Sequence, residues 1–185
     1  MRTGLMILIM LLGVFGVGCQ SEEVEATQSP SGVFEKMHTV IAPNPINPEV
    51  VCLALNIYHE ARGETIAGQV AVASVTLNRV KSARFPNTVC GVVYQAKYSK
   101  WWKDRGKTVP VRNKCQFSWY CDGKPDVIED QSVYEKVFDV AEIVYNTGID
   151  TTEGSLFYHA KYVEPYWKDS MELVMAADNH IFYRR

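Results

Sequence analysis

Two acids, Glu60 and Glu64, stand four residues apart in the stretch Asn56-Ile57-Tyr58-His59-Glu60-Ala61-Arg62-Gly63-Glu64. At about 100° per residue, Leu53, Ile57 and Glu60 share one helix face, so Glu60 extends an apolar stripe. A carboxyl group on such a face loses solvation, which disfavours its charged form and raises its pKa. A carboxylic acid kept protonated in this way suits general-acid cleavage of a glycosidic bond. The competing reading is structural: a buried Glu60 paired with Arg62 or Arg79. On spacing alone the structural reading is the stronger, because ion pairs perturb carboxylates too. Glu64 comes within reach of Glu60 only if the helix continues. Gly63 lies between them, and a cap or ion pair opening the next helix explains Glu64 more simply. Glu60 is the first candidate catalytic residue and Glu64 the second.

Further on, Cys115-Gln116-Phe117-Ser118-Trp119-Tyr120-Cys121 sets an amide, a hydroxyl and aromatic rings between two cysteines. Flat faces beside hydrogen-bonding groups suit a carbohydrate cleft. A hydrophobic plug with one polar edge is the plainer alternative. The same two readings apply to Phe157-Tyr158-His159-Ala160 and to Val163-Glu164-Pro165-Tyr166-Trp167. His59-Glu60 begins like the zinc motif HExxH, but Gly63 stands where the second histidine belongs. Lone histidines such as His159 and His180 are more often packed and hydrogen-bonded than metal-bound. No metal site and no cofactor is expected.

These residues need a scaffold, and 185 residues suffice for one domain with a proper core. A net charge of -2 argues against a nucleic-acid partner, which would call for a basic surface. Residues 1–19 read as a secretion signal: Arg2 precedes an apolar run over 5–17. That run is shorter than the ~20 residues of a membrane span. Gly16-Val17-Gly18-Cys19 resembles a lipoprotein processing box with Cys19 as the lipidated residue, although Gly16 replaces the usual large aliphatic. Export follows in either case, with membrane anchoring through Cys19 in the second. Cys52, Cys90, Cys115 and Cys121 then remain, an even number in an oxidising compartment. Of their three pairings, Cys115–Cys121 and Cys52–Cys90 are preferred, and the lack of CxxC spacing disfavours zinc.

Residues 20–47, rich in Pro, Ser and Glu, read as a flexible linker. Asn47-Pro48-Glu49 then opens a domain over 48–185 with a helix over 48–62. A second helix is expected over 65–81, with Ile66, Val70, Ala73, Leu77 and Val80 facing the core. A short third spans 87–95, and 96–125 is loop with a hairpin. Asp130 caps a helix through Tyr145, stopped by Asn146-Thr147-Gly148. Short extended pieces follow at 156–158, 164–167 and 180–183. The expected class is α+β, mainly helical.

Taken together, the 58–64 stretch, Gly68-Gln69-Val70-Ala71-Val72-Ala73, Leu77-Asn78-Arg79-Val80, Cys115-Gln116-Phe117-Ser118-Trp119, Phe157-Tyr158-His159-Ala160 with Val163, Pro165 and Trp167, and Asn179-His180-Ile181-Phe182-Tyr183 carry a resemblance. They resemble the catalytic domain of the SleB-type cell wall hydrolases over about residues 50–185. The resemblance implies a lysozyme-like fold, peptidoglycan as the substrate and partner, and lytic transglycosylase activity. It places Glu60 as the glutamate that protonates the oxygen between N-acetylmuramic acid and N-acetylglucosamine. The carboxylate would then activate the muramic C6 hydroxyl to close a 1,6-anhydro ring. One residue in both roles removes the need for a second carboxylate. Tyr58, Gln69, Gln116, Phe117 and Ser118, with Trp119, Tyr158, His159 and Trp167, form the expected substrate-binding set. The family often carries Gly where this chain has His59, and no repeat-type peptidoglycan-binding domain is read here, so cortex specificity is not inherited. An N-acetylmuramoyl-L-alanine amidase and a non-catalytic peptidoglycan-binding lipoprotein remain the alternatives. The protein is expected to be a monomer.

Overall fold

The computed structural model describes residues 45–185; the expected signal peptide, Cys19 and nearly all of the expected linker lie outside the described residues. Helix α1 (Pro48–Ala61) begins as its sequence predicts. The Asn47 side chain accepts from the Glu49 N–H at 2.9 Å, and Pro48 occupies the first turn. Leu53, Ala54 and Ile57 are fully buried, and Tyr58 on another face nearly so. A helix apolar on two sides needs neighbours on both, and α1 has them.

One neighbour is α2 (Ile66–Lys81), capped by Thr65, whose hydroxyl accepts from the Gly68 N–H. Every residue from Ala71 to Arg79 is buried. Small side chains (Ala71, Ala73, Ser74) let α2 sit at the centre, against α1 and two further helices. Ile66, expected on the core face, is 70% exposed. It opens the helix, ahead of the packed part, where no neighbour covers it. The short α3 (Val89–Val93) is trimmed from the expected 87–95 and is pinned to α1 by the Cys52–Cys90 disulfide. The long α5 (Gln131–Thr147) is capped by Asp130, which accepts from the Val133 N–H at 3.1 Å. It ends at Gly148, whose φ of 64° is the left-handed conformation a glycine cap supplies. Val137, Ala141 and Val144 bury its inner face against α1 and α2.

Between α3 and α5 the chain forms the expected hairpin, β1 (Ala96–Tyr98) with β2 (Pro110–Cys115), its loop carrying a single helical turn, α4 (Lys100–Lys103). A 3-10 turn, Ser118–Cys121, follows, and the Cys115–Cys121 disulfide closes it against the hairpin. The remaining strands are β3 (Phe157–Ala160), β4 (Glu172–Ala177) and β5 (His180–Arg184), antiparallel in the order β3-β5-β4. The expected extended piece at 164–167 forms no strand; Trp167 instead caps a 3-10 turn, Lys168–Ser170, and Pro165 has no N–H to give a ladder. Strand β4 was absent from the sequence expectation because it is an edge strand with a bulge between Leu173 and Met175, without alternating burial. The outcome is a mainly helical α+β fold with two small sheets.

Candidate active site

The last turn of α1 carries Glu60 to the floor of a cleft of about 510 Å³. Arg79 of α2 and Phe157 and Tyr158 of β3 form one side. The 115–118 segment forms another, and Tyr166, Trp167, Met171 and Arg185 complete the rim. The Tyr158 hydroxyl donates to Glu60 Oε2 at 3.2 Å. Burial raises the Glu60 pKa, and the Tyr158 hydrogen bond and the Arg79 charge hold back part of that rise. Burial also lifts the Tyr158 phenol well above its usual range, so it stays a donor.

Neither arginine proposed as a structural partner pairs with Glu60. Among the described residues the ion pairs are Glu164–Lys168 and Glu172–Arg184. Arg62 lies over the Tyr58 ring, 5.1 Å from its centroid. Arg79 is 3% exposed; its Nε donates to the Leu156 carbonyl at 2.8 Å, and its guanidinium lies over the rings of Phe117 and Phe85. Burial lowers its pKa to about 10, which leaves it charged at neutral pH. Its Nη1 is buried without a hydrogen-bond partner, in the wall of the cleft. An unpaired buried donor is costly, and this one is closed to solvent.

Glu64 goes elsewhere. Helix α1 ends at Ala61, so the two acids do not share a helical face. The Glu64 carboxylate accepts from the Asn179 N–H at 3.1 Å and from Asn179 Nδ2 at 3.0 Å, which ties the α1–α2 turn to the β4–β5 turn. Beside it, Asp178 Oδ2 accepts from the Thr65 N–H and hydroxyl at 2.9 and 2.7 Å. Gly68 makes room for this latch, since a Cβ there would sit 2.3 Å from Asp178 Oδ2.

Of the expected binding set, Gln116, Phe117, Ser118, Tyr158 and Trp167 line the cleft with Glu60. The other four stand behind it. The buried Tyr58 hydroxyl accepts from the Glu129 and Asp130 N–H groups at 3.1 and 3.0 Å and so orders the entry to α5. Gln69 donates to the Glu64 carbonyl at 3.3 Å. Trp119 donates to Asn56 Oδ1 at 3.1 Å and stacks on His59, with centroids 4.4 Å apart. His159 is bonded through Nε2 to the Tyr183 hydroxyl and through Nδ1 to the Ala160 carbonyl, each at 2.9 Å. Sequence reasoning missed Met171 and Arg185 as cleft residues, held Phe157 and Tyr166 only within stretches that could be cleft or core, and brought in Arg79 only as a possible ion-pair partner. His59, His159 and His180 do not converge, and among the described residues no group of three or more His, Cys, Asp or Glu is placed to hold a metal.

Known proteins match this arrangement at three levels. The family description Cell Wall Hydrolase fits residues 63–183. The span opens at Gly63, so the case for Glu60 is made by the cleft. The spore cortex-lytic enzyme of Bacillus subtilis (strain 168) is 33% identical over 112 residues, 60% of this chain and 29% of that one. Its counterpart from a Bacillus cereus strain is 54% identical over 54 residues, 29% of this chain and 21% of that one. The matched part therefore spans less than a third of the length of these relatives. The crystal structure of the catalytic domain of the Bacillus cereus SleB protein superposes with a TM-score of 0.51 at 30% identity, covering 77% of this chain and 94% of that one. This likeness bears out the expected mainly helical, lysozyme-like class. The chain belongs to the cell wall hydrolase family, whose place of action is outside the cytoplasm.

Proposed function

We propose that this protein is an exported peptidoglycan-cleaving enzyme, a lytic transglycosylase in which Glu60 acts first as general acid and then as general base. The observation that carries the reading is the composition of the cleft. Among the described residues that line it, Glu60 brings the one acidic side chain, and burial raises its pKa. Glycosidases that use water or a covalent intermediate place a second carboxylate ~5–10 Å from the first. A cleft with one acid suits a reaction whose nucleophile belongs to the substrate.

In that reaction Glu60 gives its proton to the glycosidic oxygen as the bond to the muramic C1 breaks. Positive charge develops at C1, and Glu60 is now a carboxylate. That carboxylate takes the proton of the C6 hydroxyl, whose oxygen bonds to C1 and closes the anhydro ring. Glu60 ends protonated, ready for the next cycle. Tyr158 and Arg79 act in the middle of the cycle, because a phenol donor and a nearby cation both favour the carboxylate over the acid. The rings of Phe117, Phe157 and Trp167, with the amide of Gln116 and the hydroxyl of Ser118, supply the stacking faces and hydrogen bonds that hold sugars.

The matched relatives are named for lysis of spore cortex; the reading for this chain is the broader one, peptidoglycan glycan strands. Residues 48–185 would form the catalytic domain, residues 1–19 the export signal and 20–47 the tether, with Cys19 a membrane anchor where it is lipidated. Mass spectrometry of digested peptidoglycan tests the proposal. Anhydro-muropeptides are the expected product. Reducing ends alone would make the protein a lysozyme-type hydrolase, and released stem peptides with zinc-restorable loss in EDTA would make it an amidase.

A further inference from the structure

The hairpin beside the cleft is charged quite unlike the rest of the molecule. Residues 96–115 hold seven cations (Lys97, Lys100, Lys103, Arg105, Lys107, Arg112 and Lys114) against a single acid, Asp104. The other 165 residues hold twelve cations and twenty acids. All seven cations are exposed, and none is within ion-pair distance of a carboxylate among the described residues. Two are arranged on aromatic faces: the Arg105 guanidinium is 3.8 Å from the centroid of Trp101, which is itself 55% exposed, and Lys107 Nζ is 5.1 Å from that of Trp102. Local contacts account for part of this, since Arg105 Nη1 also donates to the Trp101 carbonyl at 2.9 Å and both stacks are cation–π pairs, but the excess of like charge opposes folding.

The hairpin is also joined to the cleft. Its base is fixed by the Ala96–Cys115 pair, by the Gln116 N–H donating to the Gln95 carbonyl at 2.8 Å, and by the Cys115–Cys121 disulfide. A depression of about 410 Å³ runs along that base, with Lys97 and Lys114 in its walls. It shares Cys115 and Gln116 with the cleft that holds Glu60. Cys115 and Gln116 thus stand between the cleft and the cationic depression.

We infer that this hairpin and its depression bind the free carboxylates of the stem peptides carried by the glycan that Glu60 cleaves. The inference rests on peptidoglycan being the polymer in the cleft. The acetamido sugars of that polymer are neutral, and its anionic groups lie on the peptides that branch from every second sugar. A surface of unpaired Lys and Arg beside a cleft of rings and amides matches that division. The expected preference is for strands whose peptides keep their free carboxylates over strands in which these are amidated, and it should weaken as salt screens the charges.

The test is sedimentation binding of the full chain carrying Glu60→Gln, so that the polymer stays intact. Sacculi freed of phosphate polymers by acid are compared with the same sacculi after carbodiimide coupling to ammonia has turned the free peptide carboxylates into neutral amides. The expected result is binding about tenfold tighter to the form with free carboxylates. The gap should narrow as ionic strength rises from about 0.05 to about 0.5 M. It should close in the variant that adds Lys97→Gln, Lys100→Gln, Lys103→Gln, Arg105→Gln, Lys107→Gln and Lys114→Gln, with melting curves confirming that this variant folds. Equal binding to both forms, or a gap that survives in the neutralised hairpin, overturns the inference. So does binding that disappears once the phosphate polymers are removed, which would make the hairpin a phosphate-polymer site. Products of wild-type digestion are read separately. Carboxylate-dependent binding without glycan cleavage would sink the transglycosylase and leave the hairpin assignment standing.

Discussion

Glu60 accepts one hydrogen bond, from Tyr158 at 3.2 Å, whereas Glu64 accepts two, from the backbone and side chain of Asn179. The two acids come from one stretch of nine residues, yet only one faces the cleft. Helix α1 continues through Glu60 and delivers it to a buried floor; it stops at Ala61, and the turn that follows swings Glu64 toward the β4–β5 connection. A carboxylate supplied with a backbone N–H and an amide is a fastener. A half-buried one with a single phenol donor and an unpaired cation nearby is placed as the proposed general acid requires. Chain direction at Gly63 separates the two roles, and residue type does not.

The largest expected effect breaks or confirms that division outright. Glu60→Gln should lower glycan cleavage by about 10²–10⁴-fold, the usual worth of a general acid, while binding to sacculi persists. Glu64→Gln should leave cleavage within about threefold, the small change proper to a residue outside the reaction. Release of muropeptides measured for both variants decides the matter: comparable losses would mean that the acids work as a pair. The same pair of substitutions separates the enzyme from a binding lipoprotein, for which neither change would alter cell-wall turnover.

A smaller effect concerns what surrounds Glu60. Tyr158→Phe removes a hydrogen bond to the carboxylate without emptying the wall, and should lower cleavage by about tenfold, the loss expected when about 1.4 kcal/mol of stabilisation is removed. Its sharper signature is in the pH profile. Activity that needs Glu60 protonated falls as pH rises through the Glu60 pKa. Tyr158 holds that pKa down against burial. Without it the pKa rises, so the alkaline limb should move to higher pH in Tyr158→Phe. A limb that stays in place would show that a group other than Glu60 sets it.

How far the sequence led is visible in the same residues. Helix starts and stops were legible because their causes are local: Asn47, Thr65 and Asp130 as caps, and Gly148 in the left-handed conformation. The burial of Glu60 followed from its period with Leu53 and Ile57. What periodicity could not tell was which aromatic faces point into a cleft and which into the core. Trp119 and Trp167 look alike in sequence, but the first spends its N–H on Asn56, 63 residues earlier, while the second lines the cleft rim. Tyr58 and Tyr158 divide in the same way, one hydroxyl holding the entry to α5 and the other holding Glu60. A polar tip on an aromatic ring announces that a partner is needed, without saying whether it is the protein or the substrate. Arg79 was misjudged for a related reason, since a buried guanidinium with a free Nη1 cannot be told from a paired one until its neighbours are known.

On the fastener side the expected effect is on stability. Glu64→Ala removes two hydrogen bonds across the turn, and about 1–3 kcal/mol should be lost in chemical denaturation. Gly68→Ala reaches the adjoining latch by a different route, because its Cβ would collide with Asp178 Oδ2. It should destabilise the fold to a similar extent, by displacing Asp178 from Thr65. If either variant instead lost cleavage while keeping its stability, the turn would belong to the reaction.

The last effect is the smallest and is again one of sign. Glu60 has a folded pKa above its ordinary value of 4.5. Its contribution to stability is therefore fully present below the unfolded pKa and is lost as pH rises through the folded one, because the native state must then hold a buried charge or keep a proton the solvent would take. Glutamine at that position has no proton to lose. The melting temperature of Glu60→Gln should thus match that of the wild type in acid and exceed it increasingly as pH rises through the folded pKa. A difference that stays constant across that range would mean that ionising Glu60 costs the fold nothing, contrary to the burial of its carboxyl on the floor of the cleft.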